Sequence, residues 1–198
     1  MIERNFVGQK MKESQIKEYM AKTLGRAGYS HTEIQRTPVG EKIVIYTTRP
    51  GLIVGKKGEN IKRLTAVLKN RFRLENPQIE IGEVQNPMID PNFVAGRIAS
   101  SMERFGSKRF KSIGYKMLQS SMDAGAVVAE IVLSGKLPSQ RARRWRFFAG
   151  RMKKSGDISM SQIPKAQTSI ALKAGTVGVK VSIMTPDIKL VERELDKV

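Results

Sequence analysis

A short glycine turn between two apolar arms constrains the fold of this chain more than any other stretch. Residues 42–47 form a β-rich arm before the turn, and residues 59–73 carry apolar side chains at helical spacing after it. The turn itself consists of Gly55, Lys56, Lys57 and Gly58. The glycines allow positive φ angles and close approach by a ligand, while the lysines and the helix N-terminus favour an anion. The stretch therefore predicts a strand–turn–helix corner that contacts phosphate.

The same stretch resembles the signature of KH domains, in which an Ile-Gly-x-x-Gly-x-x-Ile core clamps about four nucleotides of a single strand. Here Val54 precedes the first glycine and Ile61 closes the pattern. A Walker loop and a dinucleotide fingerprint both need a different glycine spacing, so neither fits. An ordinary glycine turn ahead of a helix is the alternative interpretation. The resemblance implies that the RNA-binding residues of this region are Gly55, Lys56, Lys57, Gly58, Lys62 and Arg63.

Net charge indicates the class of partner. The chain has 36 Lys and Arg against 18 Asp and Glu, a net charge of +18. Such a protein commonly binds a polyanion, usually nucleic acid, and no apolar run approaches the roughly 20 residues that a membrane span requires. The chain has no cysteine, and we expect its single histidine, His31, at the surface. No metal site, cofactor or catalytic constellation is therefore expected, and the chain is not predicted to be an enzyme.

Residues 1–87 are predicted to form a type II KH domain of the α+β class, in the order αββααβ with a three-stranded mixed sheet. A stripe of apolar residues at helical spacing predicts the first helix, and Pro and Gly mark the hairpin turn at residues 38–41. The predicted elements are a helix over 14–27, strands over 31–38 and 42–48, a helix over 59–73 and a strand over 78–84.

Residues 88–198 are predicted to form a second α+β domain, with two helices packed on a four-stranded antiparallel sheet. Asp90 is expected to cap the first helix, whose buried face includes Phe105, and Ser107 is expected to cap the second. Alternating apolar residues and glycine turns predict strands over 127–133, 141–148, 167–173 and 177–184. The charged end, residues 192–198, is expected to fray.

Two basic clusters without acidic residues lie in this second domain. The first, within residues 104–122, contributes Lys108, Arg109, Lys111 and Lys116 as predicted RNA-binding residues. The second, within residues 135–156, contributes Arg141, Arg143, Arg144, Trp145, Arg146, Arg151, Lys153 and Lys154. Exposed like charges repel one another, so an external anion is expected to neutralise them; a solvated basic face is the alternative. Trp145 is as well suited to stacking on bases as to burial, whereas Phe147 and Phe148 are expected in the core.

Further motifs extend the resemblance beyond the KH signature. They are Asp90-Pro91 at a helix start, Ile-Val-Leu-Ser-Gly-Lys-Leu over residues 131–137 and Gly-Thr-Val-Gly-Val-Lys-Val over residues 175–181. A generic KH protein would not share them. Nearly the whole chain resembles the KH-bearing protein of the small ribosomal subunit, traditionally its third protein, in its archaeal form.

This resemblance implies a cytoplasmic protein in the head of the small ribosomal subunit, bound to ribosomal RNA and neighbouring head proteins. It also implies contact with messenger RNA at the entrance channel and help in unwinding it, with no small-molecule substrate and no membrane. In bacterial members a basic triplet on the second helix of the second domain does this, and the matching positions here are Lys111, Ser112 and Tyr115. A free-standing KH regulator of RNA and a nucleic-acid lyase or endonuclease acting on abasic sites are the alternatives.

Overall fold

The computed structural model describes residues 2–37, 40–74, 76–186 and 188. The chain folds as two compact units, Met1–Gln85 and Asn86–Val198. No helix within the described ranges has the length and hydropathy that crossing a bilayer requires. The centre of the predicted hairpin turn, at residues 38 and 39, and the charged end at 192–198 lie outside the described residues.

The first unit has the predicted αββααβ order, and α2 is the one helix to which the sequence assigned no residues. Its elements are α1 (Ile2–Leu24), β1 (Tyr29–Thr37), β2 (Gly40–Thr47), α2 (Pro50–Val54), α3 (Glu59–Phe72) and β3 (Gln78–Glu83). β2 lies in the centre of the sheet, antiparallel to β1 and parallel to β3. The prediction of a three-stranded mixed sheet is confirmed. This sheet places the end of β2 and the start of α3 on either side of α2 and the glycine turn.

Helix α1 is longer than predicted, because it begins at Ile2 instead of residue 14. Its second half buries Ile16, Met20 and Leu24 in a core that also contains side chains of β2 and α3. Burying each of these side chains fully stabilises the fold by about 1.5–3 kcal/mol. The first half of the helix is exposed along its length. Its apolar side chains have no partner in the core of this unit, so no buried stripe marked it in the sequence.

The second unit has two helices and a four-stranded sheet. Its elements are α4 (Pro91–Phe105), α5 (Phe110–Asp123), β4 (Val128–Gly135), β5 (Arg143–Ala149), β6 (Lys165–Leu172) and β7 (Gly175–Met184). The strand order is β5-β4-β7-β6, and every neighbouring pair is antiparallel. The predicted fold class is therefore confirmed. A π-helical turn over Ile158–Gln162, which the sequence did not indicate, lies between β5 and β6.

The junction of α4 and α5 corrects two local predictions. The Asp90 carboxylate accepts a hydrogen bond from the Asn92 N–H at 3.1 Å, so the predicted cap of α4 is confirmed. Phe105, however, is 52 % exposed, and it is the last residue of α4. Ser107 does not cap α5. It lies in a 3-10 turn inserted before the helix, and Arg109 occupies the N-cap position.

One face of the second sheet packs against the helices α4 and α5, and the other face does not. Side chains at alternate positions, such as Ile131, Leu133 and Phe147, share a core with residues of α4 and α5. The intervening positions, such as Glu130 and Phe148, point to the opposite face, since successive side chains of a strand alternate. The strand predicted over 127–133 begins one residue later, since Val127 lies just before β4 and is 39 % exposed.

Candidate nucleic-acid interface

The glycine turn combines two glycines and one lysine in left-handed backbone conformations. Gly55 has a φ of 69°, Lys57 of 52° and Gly58 of 76°. The predicted positive φ angles of the glycines are thus present, and α3 starts immediately afterwards at Glu59. A left-handed conformation costs a residue other than glycine on the order of 1–3 kcal/mol. The turn accepts this cost at Lys57, whose side chain is exposed together with that of Lys56.

The Asn60 side chain holds the two ends of the glycine turn together. Its side-chain amide donates a hydrogen bond to the Leu52 carbonyl at 3.2 Å, which ties the start of α3 to α2. A Cβ added at Gly55 would lie 2.5 Å from Nδ2 of this asparagine, so the position has no room for a side chain. Beyond the turn, Lys62 is exposed, whereas Arg63 pairs with Glu59 at 3.1 Å.

Helix α5 and the turn before it present cations to solvent on a surface that we call the α5 basic face. Its members Lys108, Arg109, Lys111 and Lys116 are all exposed. On the opposite side Phe110, Met117 and Leu118 are buried and Ile113 is partly buried, at steps of three and four that keep them on one side of the helix. The helix lies close to β5, because a Cβ at Gly114 would be 2.7 Å from the ring of Phe147. This close packing leaves Lys111 and Lys116 of the helix exposed to solvent.

Trp145 supports the α5 basic face from the sheet. Its ring packs on Phe110 with centroids 5.1 Å apart, and the Lys111 ammonium lies 4.9 Å from its ring centroid. A lysine over an indole face gains on the order of 1 kcal/mol. The tryptophan is therefore a half-buried platform for a cation. Of its two neighbours, Phe147 is buried as predicted, whereas Phe148 is 58 % exposed, because it points to the face opposite the helices.

A buried carboxylate lies within the second basic cluster. Glu130 Oε1 accepts hydrogen bonds from Arg146 Nε at 2.7 Å and from Lys154 Nζ at 3.2 Å. The second carboxylate oxygen accepts from Arg146 Nη2 at 3.3 Å. The Glu130 side chain is only 8 % exposed. Burial raises the pKa of this carboxyl, but the hydrogen bonds and charges of both cations outweigh it and hold the pKa below its ordinary value.

The Glu130 cluster, defined as Glu130, Arg146 and Lys154, changes the interpretation of the charge count. The run of residues 135–156 is free of acid in the sequence, but not in space, because β4 lies beside β5 and supplies the carboxylate. Two cations assigned to RNA thus already share a carboxylate. No residue between 135 and 156 indicates this neutralisation, since Glu130 precedes that stretch.

The other members of the second cluster lie around the outer strand β5. Arg143 and Arg144 are exposed within β5 and point to opposite faces, as expected from alternation. Arg141 is exposed before the strand and Arg151 is exposed after it. Lys153 is partly buried. Lys154, five residues after β5, reaches the face of the sheet opposite the helices, where it contacts Glu130.

The remaining sequence expectations concern histidine and metals. His31 is exposed at the surface and stacks on Tyr46, with centroids 4.4 Å apart and planes at 12°. Among the residues that the structure describes, no group of three or more His, Cys, Asp or Glu side chains is arranged to hold a metal ion.

Comparison with known families places both units. The KH domain family matches residues 15–89, and the family "Ribosomal protein S3, C-terminal domain" matches residues 98–183. Small ribosomal subunit protein uS3 of Methanocaldococcus jannaschii is 41 % identical over 190 residues, which cover 96 % of this chain and 90 % of the relative. The uS3 protein of Methanococcus maripaludis is 40 % identical, with coverages of 96 % and 89 %. That of Methanothermobacter thermautotrophicus is 37 % identical over 193 residues, with coverages of 98 % and 74 %. The predicted resemblance is confirmed, and the chain belongs to the uS3 family of small ribosomal subunit proteins.

Proposed function

We propose that this chain binds ribosomal RNA in the head of the small subunit and contacts messenger RNA at the entrance channel, where it assists unwinding. Membership of the uS3 family and the KH domain support ribosomal RNA binding. The α5 basic face is the surface that we assign to the incoming messenger. The second unit would also contact neighbouring head proteins.

The α5 basic face is the observation that carries the proposal. Lys111 and Lys116 lie on α5 and Lys108 and Arg109 in the turn before it, and all four are exposed. Residues 104–122 contain no acidic side chain, and within the described residues none of the four cations forms a salt bridge with a carboxylate. Arg109 and Lys108 lie at the N-terminal end of α5, where positive charge opposes the helix dipole. Helix stability does not explain these charges, whereas an anionic strand that passes over the helix would offset their repulsion.

The proposed unwinding follows from the preference of such a surface for one strand. A cation that contacts a phosphate releases counterions and stabilises the bound strand. When a hairpin opens at the entrance, the freed strand gains these contacts and the opened state is favoured over the closed duplex. Among the positions that match the bacterial basic triplet, only Lys111 is basic. Its partners Lys108, Arg109 and Lys116 supply the remaining charge in this chain.

Two further surfaces complete the proposed RNA contacts. The glycine turn of the first unit would receive single-stranded RNA, since Lys56 and Lys57 project from a corner with little side-chain bulk. The exposed arginines Arg143 and Arg144 would bind ribosomal RNA phosphates. Arg146 and Lys154 would contribute less, because Glu130 already neutralises part of their charge.

A translation assay tests the messenger assignment. Lys108, Arg109, Lys111 and Lys116 are replaced by Gln, and reconstituted subunits translate either a stable hairpin or an unstructured template at equal occupancy. We expect slower translation of the hairpin template and nearly normal translation of the other. The matched control removes four exposed charges from α1, at Lys10, Lys12, Lys17 and Lys22. Equal rates on both templates would refute the unwinding role, and failure to incorporate would reassign the α5 basic face to ribosomal RNA.

A further inference from the structure

An exposed phenylalanine lies where the α5 basic face begins. Helical spacing places Phe105 in line with the buried residues of α4, but its side chain is 52 % exposed. The guanidinium carbons of Arg104 and Arg109 lie 5.6 Å and 5.7 Å from its ring centroid. One arginine comes from the end of α4 and the other from the turn before α5. The two helices thus bring two cations to one exposed ring.

Ordinary surface packing accounts for only part of this arrangement. Single exposed apolar side chains are common, and Arg104 in the last turn of α4 is favoured by the helix dipole. Arg109 has no such reason, since it lies at the N-cap of α5. Within the described ranges neither arginine forms a salt bridge with a carboxylate. Their charges are therefore available for a phosphate group of a ligand.

An aromatic ring between arginines suits one ligand class in particular. Unpaired bases stack on aromatic rings and on guanidinium planes, and the flanking charges bind the phosphates on either side of the base. We infer that Phe105, with Arg104 and Arg109, is a stacking site for an unpaired base of single-stranded RNA. The inference rests on the proposed function, because Arg109 also belongs to the α5 basic face and the bound strand would continue along that helix.

Phe148 offers a comparison within the same unit. It is exposed to a similar degree, and the Arg146 guanidinium lies 4.5 Å from its ring centroid. That guanidinium is held by Glu130, whose carboxylate would repel an approaching phosphate. Phe148 is therefore the matched control, an exposed phenylalanine beside an arginine whose charge is already used.

A binding assay tests the site on the full chain. The starting variant carries Asp at both lysines of the glycine turn, so that binding reports on the second unit. Fluorescence anisotropy with a labelled 12-nucleotide oligouridine gives the affinity. We expect Phe105→Leu to weaken binding by roughly 5- to 150-fold, the range for loss of one stacked base. Phe105→Trp should retain the affinity, and Phe148→Leu should change it less than 3-fold.

Salt dependence separates stacking from phosphate binding. Phe105→Leu should leave the slope of log affinity against log salt unchanged, whereas Arg104→Gln and Arg109→Gln should each flatten it by about 0.7. For an oligonucleotide with abasic positions, Phe105→Leu and the unaltered protein should have the same affinity, because there is no base to stack. Equal affinity of the Leu, Trp and unaltered proteins would overturn the site. If Lys111→Gln and Lys116→Gln still weakened binding in that case, the α5 basic face would bind RNA without the stacking site, and the proposed function would stand.

The source of the base is decided in assembled subunits. Ultraviolet crosslinks from the Phe105 peptide to a labelled messenger would identify messenger RNA, and crosslinks to ribosomal RNA alone would identify that RNA. Either result supports the stacking site. Crosslinks to neither RNA would overturn it. It would also be overturned if Phe105→Leu left RNA binding unchanged and only prevented assembly with other proteins.

Discussion

Neutralising Glu130 tests how much the Glu130 cluster contributes to the stability of the second unit. The substitution Glu130→Gln keeps the size of the side chain but removes the charge that three hydrogen bonds share. A hydrogen bond to a charged group contributes about 1.5–3 kcal/mol, and breaking a buried ion pair costs about 3–5 kcal/mol. The partner side chains are 41 % and 58 % exposed, so solvent screens part of the interaction. We therefore expect a loss of about 2–3 kcal/mol in the free energy of unfolding.

The effect should depend on pH in a defined direction. The folded pKa of Glu130 lies below the value of an unfolded glutamate, which is about 4.3. Its charge therefore stabilises the fold fully at pH values above the unfolded pKa, and this contribution is lost as pH falls through the folded pKa. The difference between the Gln variant and the unaltered protein should accordingly be constant near neutral pH and shrink below about pH 4.

Urea unfolding followed by tryptophan fluorescence is the assay. Trp145 is the only tryptophan in the chain and lies on β5, beside Arg146, so the signal reports on the second unit. The control is Glu103→Gln, which removes an equal charge from an exposed position of α4. This control should change stability by less than about 0.5 kcal/mol. Equal stability of the two variants, or a loss at Glu130 that persists unchanged in acid, would refute the reasoning.

Three further predictions concern the RNA-binding surfaces. Replacing both lysines of the glycine turn by Asp should weaken single-stranded RNA binding with an unaltered circular dichroism spectrum; unaltered affinity would mean that the turn is not used. Gly55→Ala should lower the melting temperature through a loss of about 1–3 kcal/mol, because the new Cβ would clash with Asn60 at a positive φ; an unchanged melting curve would contradict this. Arg143→Gln and Arg144→Gln should each flatten the salt slope of RNA binding by about 0.7–0.9, and Arg146→Gln by less, because that guanidinium is held by a carboxylate. Equal slopes for all three variants and the unaltered protein would place these arginines away from phosphate.

Sequence patterns predicted the fold where a structural feature depends on neighbouring residues. The glycine turn, the Asp90 cap and the alternating strands each depend on residues that are close in sequence, and all of them are present in the structure. The first half of α1 escaped because helix periodicity is recognised by a buried stripe, and nothing in its unit buries that half. The exposure of Phe105 was not predicted either, since helical spacing does not show at which residue a helix ends.

The candidate site was harder to predict, because charge is neutralised across strands. The pairing of β4 with β5 brings Glu130 to Arg146, although 16 positions separate them along the chain. A count of charges along the sequence therefore treated Arg146 and Lys154 as equal to their neighbours. Exposure of the α5 basic face could be predicted, since it needs only helix periodicity. Its support by Trp145 depends on how α5 packs on the sheet and could not be predicted.

The arginines of β5 also matter before any RNA is bound. β5 is an outer strand of its sheet, so one side of its backbone has no partner among the strands that the structure describes. Such an edge can recruit a strand from a second molecule and start aggregation, and charged side chains along it oppose this. Arg143, Arg144 and Arg146 place three cations along seven residues of the strand. A chain that has not yet bound RNA would thus be kept from pairing with its own copies along this edge, in part by Arg143 and Arg144, the two arginines that we propose to bind RNA phosphates.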